Sequence, residues 1–337
     1  MVHRLVCTTC LLSSVAFAQN HLVTGSVKTN VAFAQVSIHG HDLNGKPSSA
    51  FPLGPGDAYA ETGGRFLATN YDLLTYISFA YELTSAQRST LAKQLPSWAG
   101  FDRYDIDAQG SDPAATKDDM RAMMRSLLAQ KFQLVMHKEM RTGTVYALQL
   151  IGPGKAGPDL KLHPANQSCS IGFPSSAGST KAPQASRSGA VGPCRAIGKY
   201  PVAYGTLLAG RDLPIALLAN AVSGIKDCVP VIDETGLPGR YDFMLAYSVQ
   251  TVRRDGKYAG SAGGGSIGYS AYNGAASGND LDDLRNLDER TPDPSDEQRE
   301  PPKFEKALQV QLGMKLVKQR GESDVWVIDH IARLPKS

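Results

Sequence analysis

Two strings that begin alike decide the reading of the fold: Arg103-Tyr-Asp-Ile-Asp-Ala108 and Arg240-Tyr-Asp-Phe-Met-Leu245. Each reads as a strand, and the same elements are expected on either side of both. Upstream of the first, Leu73, Ile77, Ala80 and Tyr81 share one helical face, with Asn70 as the expected cap. Downstream, Thr116 can cap a second helix with Asp119 at its third position. Met120, Met123, Met124, Leu127 and Leu128 follow at the spacing of one continuous apolar stripe. Two strands, 132–139 and 144–151, are expected to close the unit.

The second string has matching surroundings. Asp212 is the expected cap of a helix bearing Ile215, Leu218, Ala219 and Val222, ended by Gly224. Beyond the strand, Phe304, Ala307, Leu308 and Leu312 make a helix that Gly313 stops, and strands 314–318 and 324–331 follow. Helix, strand, helix, strand, strand therefore occurs twice, which predicts a duplicated module. The fold class expected is α+β: two similar small modules, each with helices packed on one face of a short, mostly antiparallel sheet. A strand over 21–28 is expected to join the first. Residues 1–18 are read as a signal peptide, 19–163 as the first α+β module, 164–198 as a flexible linker, and 199–337 as the second α+β module with a disordered insertion at 251–302. Both low-order segments are small and polar: Pro174-Ser-Ser-Ala-Gly-Ser-Thr180 lies in one, and Gly263-Gly-Gly-Ser266 with the Asp-rich run 279–300 in the other.

Composition narrows the function classes. A net charge of +3, with 35 Lys and Arg spread among 32 Asp and Glu, gives no basic stripe, so no nucleic-acid partner is expected. His3 and Arg4, an apolar stretch from Leu5 to Ala16 and the site Ala16-Phe17-Ala18 read as an export signal, which places the mature chain in the periplasm or outside the cell. No later stretch is apolar enough to span a membrane, so no transmembrane segment is expected after signal removal. Export sets the redox state. Cys169 and Cys194 bracket the Ser/Gly/Ala-rich loop and are the favoured disulfide pair, which leaves Cys228 as a small buried hydrophobe.

Four strings are similar to the signatures of a large soil-associated family of unknown function, expanded in acidobacteria. They are Leu95-Pro-Ser-Trp-Ala-Gly-Phe-Asp-Arg-Tyr-Asp-Ile106, the run from Val231 to Phe243, Ala307-Leu-Gln-Val-Gln-Leu-Gly-Met-Lys-Leu316, and Val325-Trp-Val-Ile-Asp-His-Ile331. The resemblance covers nearly the whole mature chain. It implies a secreted protein and, because related domains occur fused to antirepressor-type membrane metallopeptidases, sensing or binding at the envelope. No catalytic residue is established for that family. Thr29, Leu95 and Cys228 depart from its pattern at local turns. The element order is also similar to the small N-terminal domains of secretins and TonB receptors.

Three glycine motifs lack the setting their chemistry requires. Gly264-Gly-Ser-Ile-Gly268 spells a nucleophile elbow inside a glycine run. Gly40 to Lys46 spells a phosphate loop, but Pro47 stands where a hydroxyl should bind magnesium. Gly152 to Gly157 spells a dinucleotide fingerprint, but Pro153 and Pro158 oppose the helix it needs. Among the histidines, His137 and Glu139 lie two apart on one strand and so point to the same side. His39 and His41 form a loop pair without a third ligand, and His21 would be third from a mature terminus at Gln19, a copper-binding geometry that cyclisation of Gln19 abolishes. The remaining carboxylates are Asp105, Asp233, Glu234 and Asp242. Asp105 and Asp242 are expected to pin turns or to pair with Arg103 and Arg240; Thr235 to Gly239 supply turn residues, and Trp98 is a core anchor. No catalytic, cofactor or metal residue is assigned and no cofactor is expected. The function expected is a noncatalytic binding or interaction module with an unknown envelope protein or extracellular ligand as partner. The alternatives are a secreted hydrolase using His137 and Glu139 or Asp233 and Glu234, and a sensor domain beside an envelope metallopeptidase.

Overall fold

The computed structural model describes residues 31–41, 45–169, 192–202, 205–248 and 301–335, without side-chain placement at 41, 201 and 202. The chain is α+β, with its antiparallel sheets in separate modules. In the first, β1 (Gln35–His41), β2 (Ser48–Ser49), β3 (Arg65–Asp72) and β4 (Arg103–Gln109) form a sheet in the order β1-β4-β3-β2. α1 (Leu73–Tyr81) and α4 (Lys117–Lys131) cover one face of it, and α2 (Ser85–Ala92) and α3 (Ser97–Phe101) lie between α1 and β4 in sequence. The alternation of β4 turns Tyr104, Ile106 and Ala108 inward against Met120, Met124 and Leu128 of α4, all buried. Each of the Ile, Met and Leu side chains among them contributes about 1.5–3 kcal/mol by leaving water. Thr116 and Asp119 form the reciprocal capping box that starts α4. The α1 cap is Asp72 and not Asn70, because Asp72 is the extended residue whose carboxylate receives the Thr75 N–H at 2.7 Å.

The second sheet is β6-β10-β8-β7, from β6 (Leu160–Leu162), β7 (Ile197–Val202), β8 (Gly205–Leu213) and β10 (Tyr241–Ser248). Over it lie α5 (Ile215–Ile225) and a last helix, α6 (Phe304–Leu312), which stops at Gly313 in the left-handed conformation. Pro214, not Asp212, caps α5, and the helix runs one residue past Gly224. The segment read as a linker is folded at its far end, where Cys194 is buried and Ile197 and Gly198 belong to β7. Residues 170–191, the expected strand over 21–28, most of the insertion at 251–302 and the Gly264 to Gly268 motif lie outside the described residues.

Arg-Tyr-Asp performs the same work in both sheets. Asn70 (φ 61°) and Asp212 (φ 55°) sit at bulges in β3 and β8, where the register shifts. Asp105 accepts the Asn70 N–H at 2.7 Å, and Asp242 accepts the Asp212 N–H at 2.9 Å. Tyr104 and Tyr241 are core residues. Arg103 lies 3.2 Å from the Asp72 carboxylate, and Arg240 lies 2.6 Å from that of Asp212. Each arginine thus fastens the turn that leads into a helix.

In each half the two expected closing strands are one continuous strand. Residues 135–150 form a single strand, β5 (Val135–Leu150), residues 314–330 form another, β11 (Met314–His330), and the two pair antiparallel along their length. Gly143, which falls between the strands expected at 132–139 and 144–151, faces Gly321 at the centre of this ribbon. Each strand starts in one core and ends in the other: Met136 packs on the first and Leu148 on the second, whereas Met314 packs on the second and Trp326 and Ile328 on the first. β9 (Val231–Asp233) joins β5 in parallel. On the first-module side the carboxamide of Gln94 takes a strand's place, donating to the Trp326 carbonyl at 2.9 Å and accepting the Ile328 N–H at 3.0 Å.

Candidate functional site

The densest grouping of chemically versatile side chains on the ribbon is built from both of its strands. His137 and Glu139 point to the same side of β5, as their spacing dictates. Across from them, the register of β11 shifts between Ile328 and His330. This irregularity at Asp329 aims its carboxylate at His137, with Nδ1 to Oδ2 at 2.9 Å. Nε2 lies 3.3 Å from Glu139 Oε1, and Arg141 grips the same carboxylate at 2.8 and 3.0 Å. Asp329, first, and then Glu139 raise the His137 pKa above the ordinary histidine value. Arg141, first, and then His137 hold Glu139 below the usual carboxylate range. Each of the three side chains is nearly half exposed, at 42–48%.

That arrangement fixes what the cluster can do. Both ring nitrogens are engaged by carboxylates, and both carboxylates favour the protonated imidazole. The three residues converge on an open strand face. On the other face of the ribbon, Lys138 lies over the Trp326 ring at 5.1 Å and Met140 is 62% exposed.

A second cluster lies at the bulge of β8. His163, Cys169 and Asp212 offer ligand atoms within 4.8 Å of one another, a spacing compatible with a metal ion. Every one of them is engaged. Cys169 is bonded to Cys194, with Cα atoms 5.7 Å apart. His163 Nδ1 meets Asp242 at 2.7 Å and its Nε2 meets the Gln167 carbonyl at 3.1 Å. Burial works to raise the Asp212 pKa, but Arg195 at 2.7 Å and Arg240 at 2.6 Å together hold it below the carboxylate range. A carboxylate clamped by two guanidiniums beside an oxidised cysteine is a structural knot.

The other sequence candidates are dispersed. Asp233 closes a turn by accepting from Thr235, and Glu234 accepts from Gln149 and Gln319, which lower its pKa. Gly157 docks against the end of α6, where its N–H reaches the Leu312 carbonyl at 2.9 Å, so no helix N-terminus faces the Gly152 to Gly157 string. Gly40 belongs to β1 rather than to a strand-to-helix turn, and His39 bonds Ser37 at 2.7 Å. Trp98 is half-buried against the first core. Cys228 is not the buried hydrophobe expected: it follows α5 with φ 58° and is partly exposed, because the backbone there turns back so that its N–H bonds the Ser223 carbonyl. Sequence reasoning missed Asp329 and Gln94. Their partners lie some two hundred residues away, and only the ribbon brings them together.

A family model described as "Protein of unknown function (DUF3738)" matches residues 74–331. Neither a curated protein nor a solved structure matches the chain. The match extends from the second residue of α1 to the residue just beyond β11, so it takes in the helices and β4 of the first module, the second sheet and the ribbon, and starts after β1, β2 and β3. The chain belongs to the DUF3738 family.

Proposed function

We propose that this chain is an exported, noncatalytic binding or interaction module of the cell envelope, periplasmic or secreted, whose contact surface is the β5–β11 ribbon. The observation that carries the reading is the state of the versatile side chains. Asp105, Asp242, Asp233 and Glu234 all hold backbone or neighbouring amides, and His137 is saturated by two carboxylates. What stays accessible is a two-stranded surface on which Met140 lies with Thr142 and Asp324, with Arg141 on the opposite face. Export accords with the Ala16-Phe17-Ala18 site and with the Cys169–Cys194 bond, which persists in oxidising compartments. No helix among the described residues is long and apolar enough to cross a membrane.

The same reading treats the two sheets as products of an internal duplication. Its support is the repeated Arg-Tyr-Asp, with the same bulge contact made twice. The sequence units are 19–163 and 199–337, but β5 and β11 each reach both cores, and β6, from the first sequence unit, pairs with β10 of the second. The resemblance to a soil-associated set with relatives fused to envelope peptidases makes an envelope protein the first partner to test, and an extracellular ligand the second.

The hydrolase reading has one observation in its favour, the alignment Asp329–His137–Glu139. A photo-crosslinking residue at Met140 of the mature protein, expressed in its native envelope, tests the binding reading. A discrete adduct that is lost when Asp324 is replaced by serine supports it. Absence of any adduct, together with an ester- or peptide-hydrolysing activity abolished by His137→Ala, would give the hydrolase precedence.

A further inference from the structure

Lys117 is the first residue of α4 and is only 5% exposed. Its Nζ lies 3.1 Å from the Gly54 carbonyl and 2.7 Å from that of Gly56. Among the described residues no carboxylate lies within ion-pair distance of it. A neutral amine has two N–H groups for these two acceptors, whereas an ammonium has a third and a full charge. The setting opposes that charge twice. The positive end of the α4 dipole is here, and the guanidinium of Arg121, one turn on and 3% exposed, also donates to the Gly56 carbonyl, at 3.1 Å. Arg121 Nε itself has no hydrogen-bond partner among the described residues.

The loop that Lys117 and Arg121 hold is a seam between the modules. The Ala58 N–H bonds the Arg195 carbonyl at 3.1 Å, and a Cβ on Gly56 would lie 2.6 Å from that same oxygen and 2.9 Å from Leu217 of α5. Gly56 has φ +98° and fits there because it has no side chain. The charged groups facing Lys117 are Arg121 and Asp118 of α4, Glu82 at the end of α1, and Asp57 of the loop, which is itself 3.3 Å from Arg240.

We propose that Lys117 is a proton-sensitive latch: as a neutral amine it ties the 54–58 loop to α4, and on protonation it releases the loop and with it the loop's hold on Arg195 of the second module. Burial, aided by Arg121 and opposed by Asp57, Glu82 and Asp118, lowers its pKa to about 7. For a depressed pKa the stabilising contribution is complete above the ordinary lysine range and is lost as pH falls through about 7. The latch therefore holds in alkali and lets go in acid.

Carbon-13 and amide NMR of the mature chain between pH 5.5 and 9 tests this. The expected result is a Lys117 Cε titration near neutrality, with the Gly56, Ala58 and Arg195 amide shifts following the same midpoint. In Lys117→Met, and in Lys117→Gln should the first variant fold poorly, those three amides stay flat across the range. A Lys117 Cε that stays unchanged up to pH 9, or a neutral titration that leaves the three amides unmoved in the wild type, overturns the proposal.

Discussion

Removing Asp105 isolates what the repeated Arg-Tyr-Asp contributes. Its carboxylate accepts the Asn70 N–H at 2.7 Å, at a residue that is 4% exposed and held at φ 61°. In Asp105→Ala that donor is stranded out of reach of water, and an orphaned buried N–H costs about 1–3 kcal/mol, near the upper end when the lost acceptor was charged. Asp105→Asn keeps an acceptor oxygen and forfeits only the charge, about 1 kcal/mol. Urea denaturation of the protein with its disulfide intact should therefore shift its midpoint in the order wild type, Asn, Ala, with an unchanged slope. At roughly 2–4 °C per kcal/mol for a folded body of this size, a cost of about 2–3 kcal/mol for Asp105→Ala lowers Tm by about 4–12 °C. Asp242→Ala should cost at least as much, because it orphans the Asp212 N–H and also releases His163. If both alanine variants cost less than about 0.5 kcal/mol, or if asparagine proves as damaging as alanine, the assigned role of the aspartate as acceptor for the bulge is wrong.

Three further outcomes can be checked. His137 should titrate above the ordinary histidine value, and Asp329→Asn should bring it back toward that value more than Glu139→Gln does; because the folded pKa is raised, the pair's contribution is complete in acid and fades as pH climbs through that raised value, which proton NMR of the imidazole follows. Reducing the Cys169–Cys194 bond, which spans 25 residues, should cost about 2–4 kcal/mol in a comparison of denaturation with and without a dithiol, and no loss would mean that the bond does not constrain the unfolded chain. Asn220→Ala strands the Ser85 N–H, which it receives at 2.7 Å between α2 and α5, and should cost about 1–3 kcal/mol and raise amide exchange at Ser85 specifically.

Part of the candidate site was legible in the chain and part was not. His137 and Glu139 could be placed together because strand geometry puts residues two apart on one side. Asp329 could not, since its aim depends on an irregularity in a strand whose partner is fixed elsewhere. Lys117 was invisible for a related reason: at the start of a helix a lysine is ordinarily solvated, and only the 54–58 loop closes over it.

Local chemistry decided the helices. The Thr116 and Asp119 box, the Met120 to Leu128 stripe and the Gly313 stop are all settled by residues within a turn or two of one another, so α4 and α6 follow from sequence. The Arg-Tyr-Asp strings likewise fixed two strands and the α+β class. Strand partnership is different. Alternation states which side of a strand is apolar but not which core it meets, and glycines at 143 and 321 serve a turn and a ribbon crossing equally well. Two cores competed for the apolar ends of β5 and β11. Each strand is long enough to reach both, so running straight through buries Met136 with Leu148 and Met314 with Trp326, where a hairpin would have kept each strand in one module. That choice belongs to the packed chain because the side chains it buries are contributed by opposite halves of the sequence.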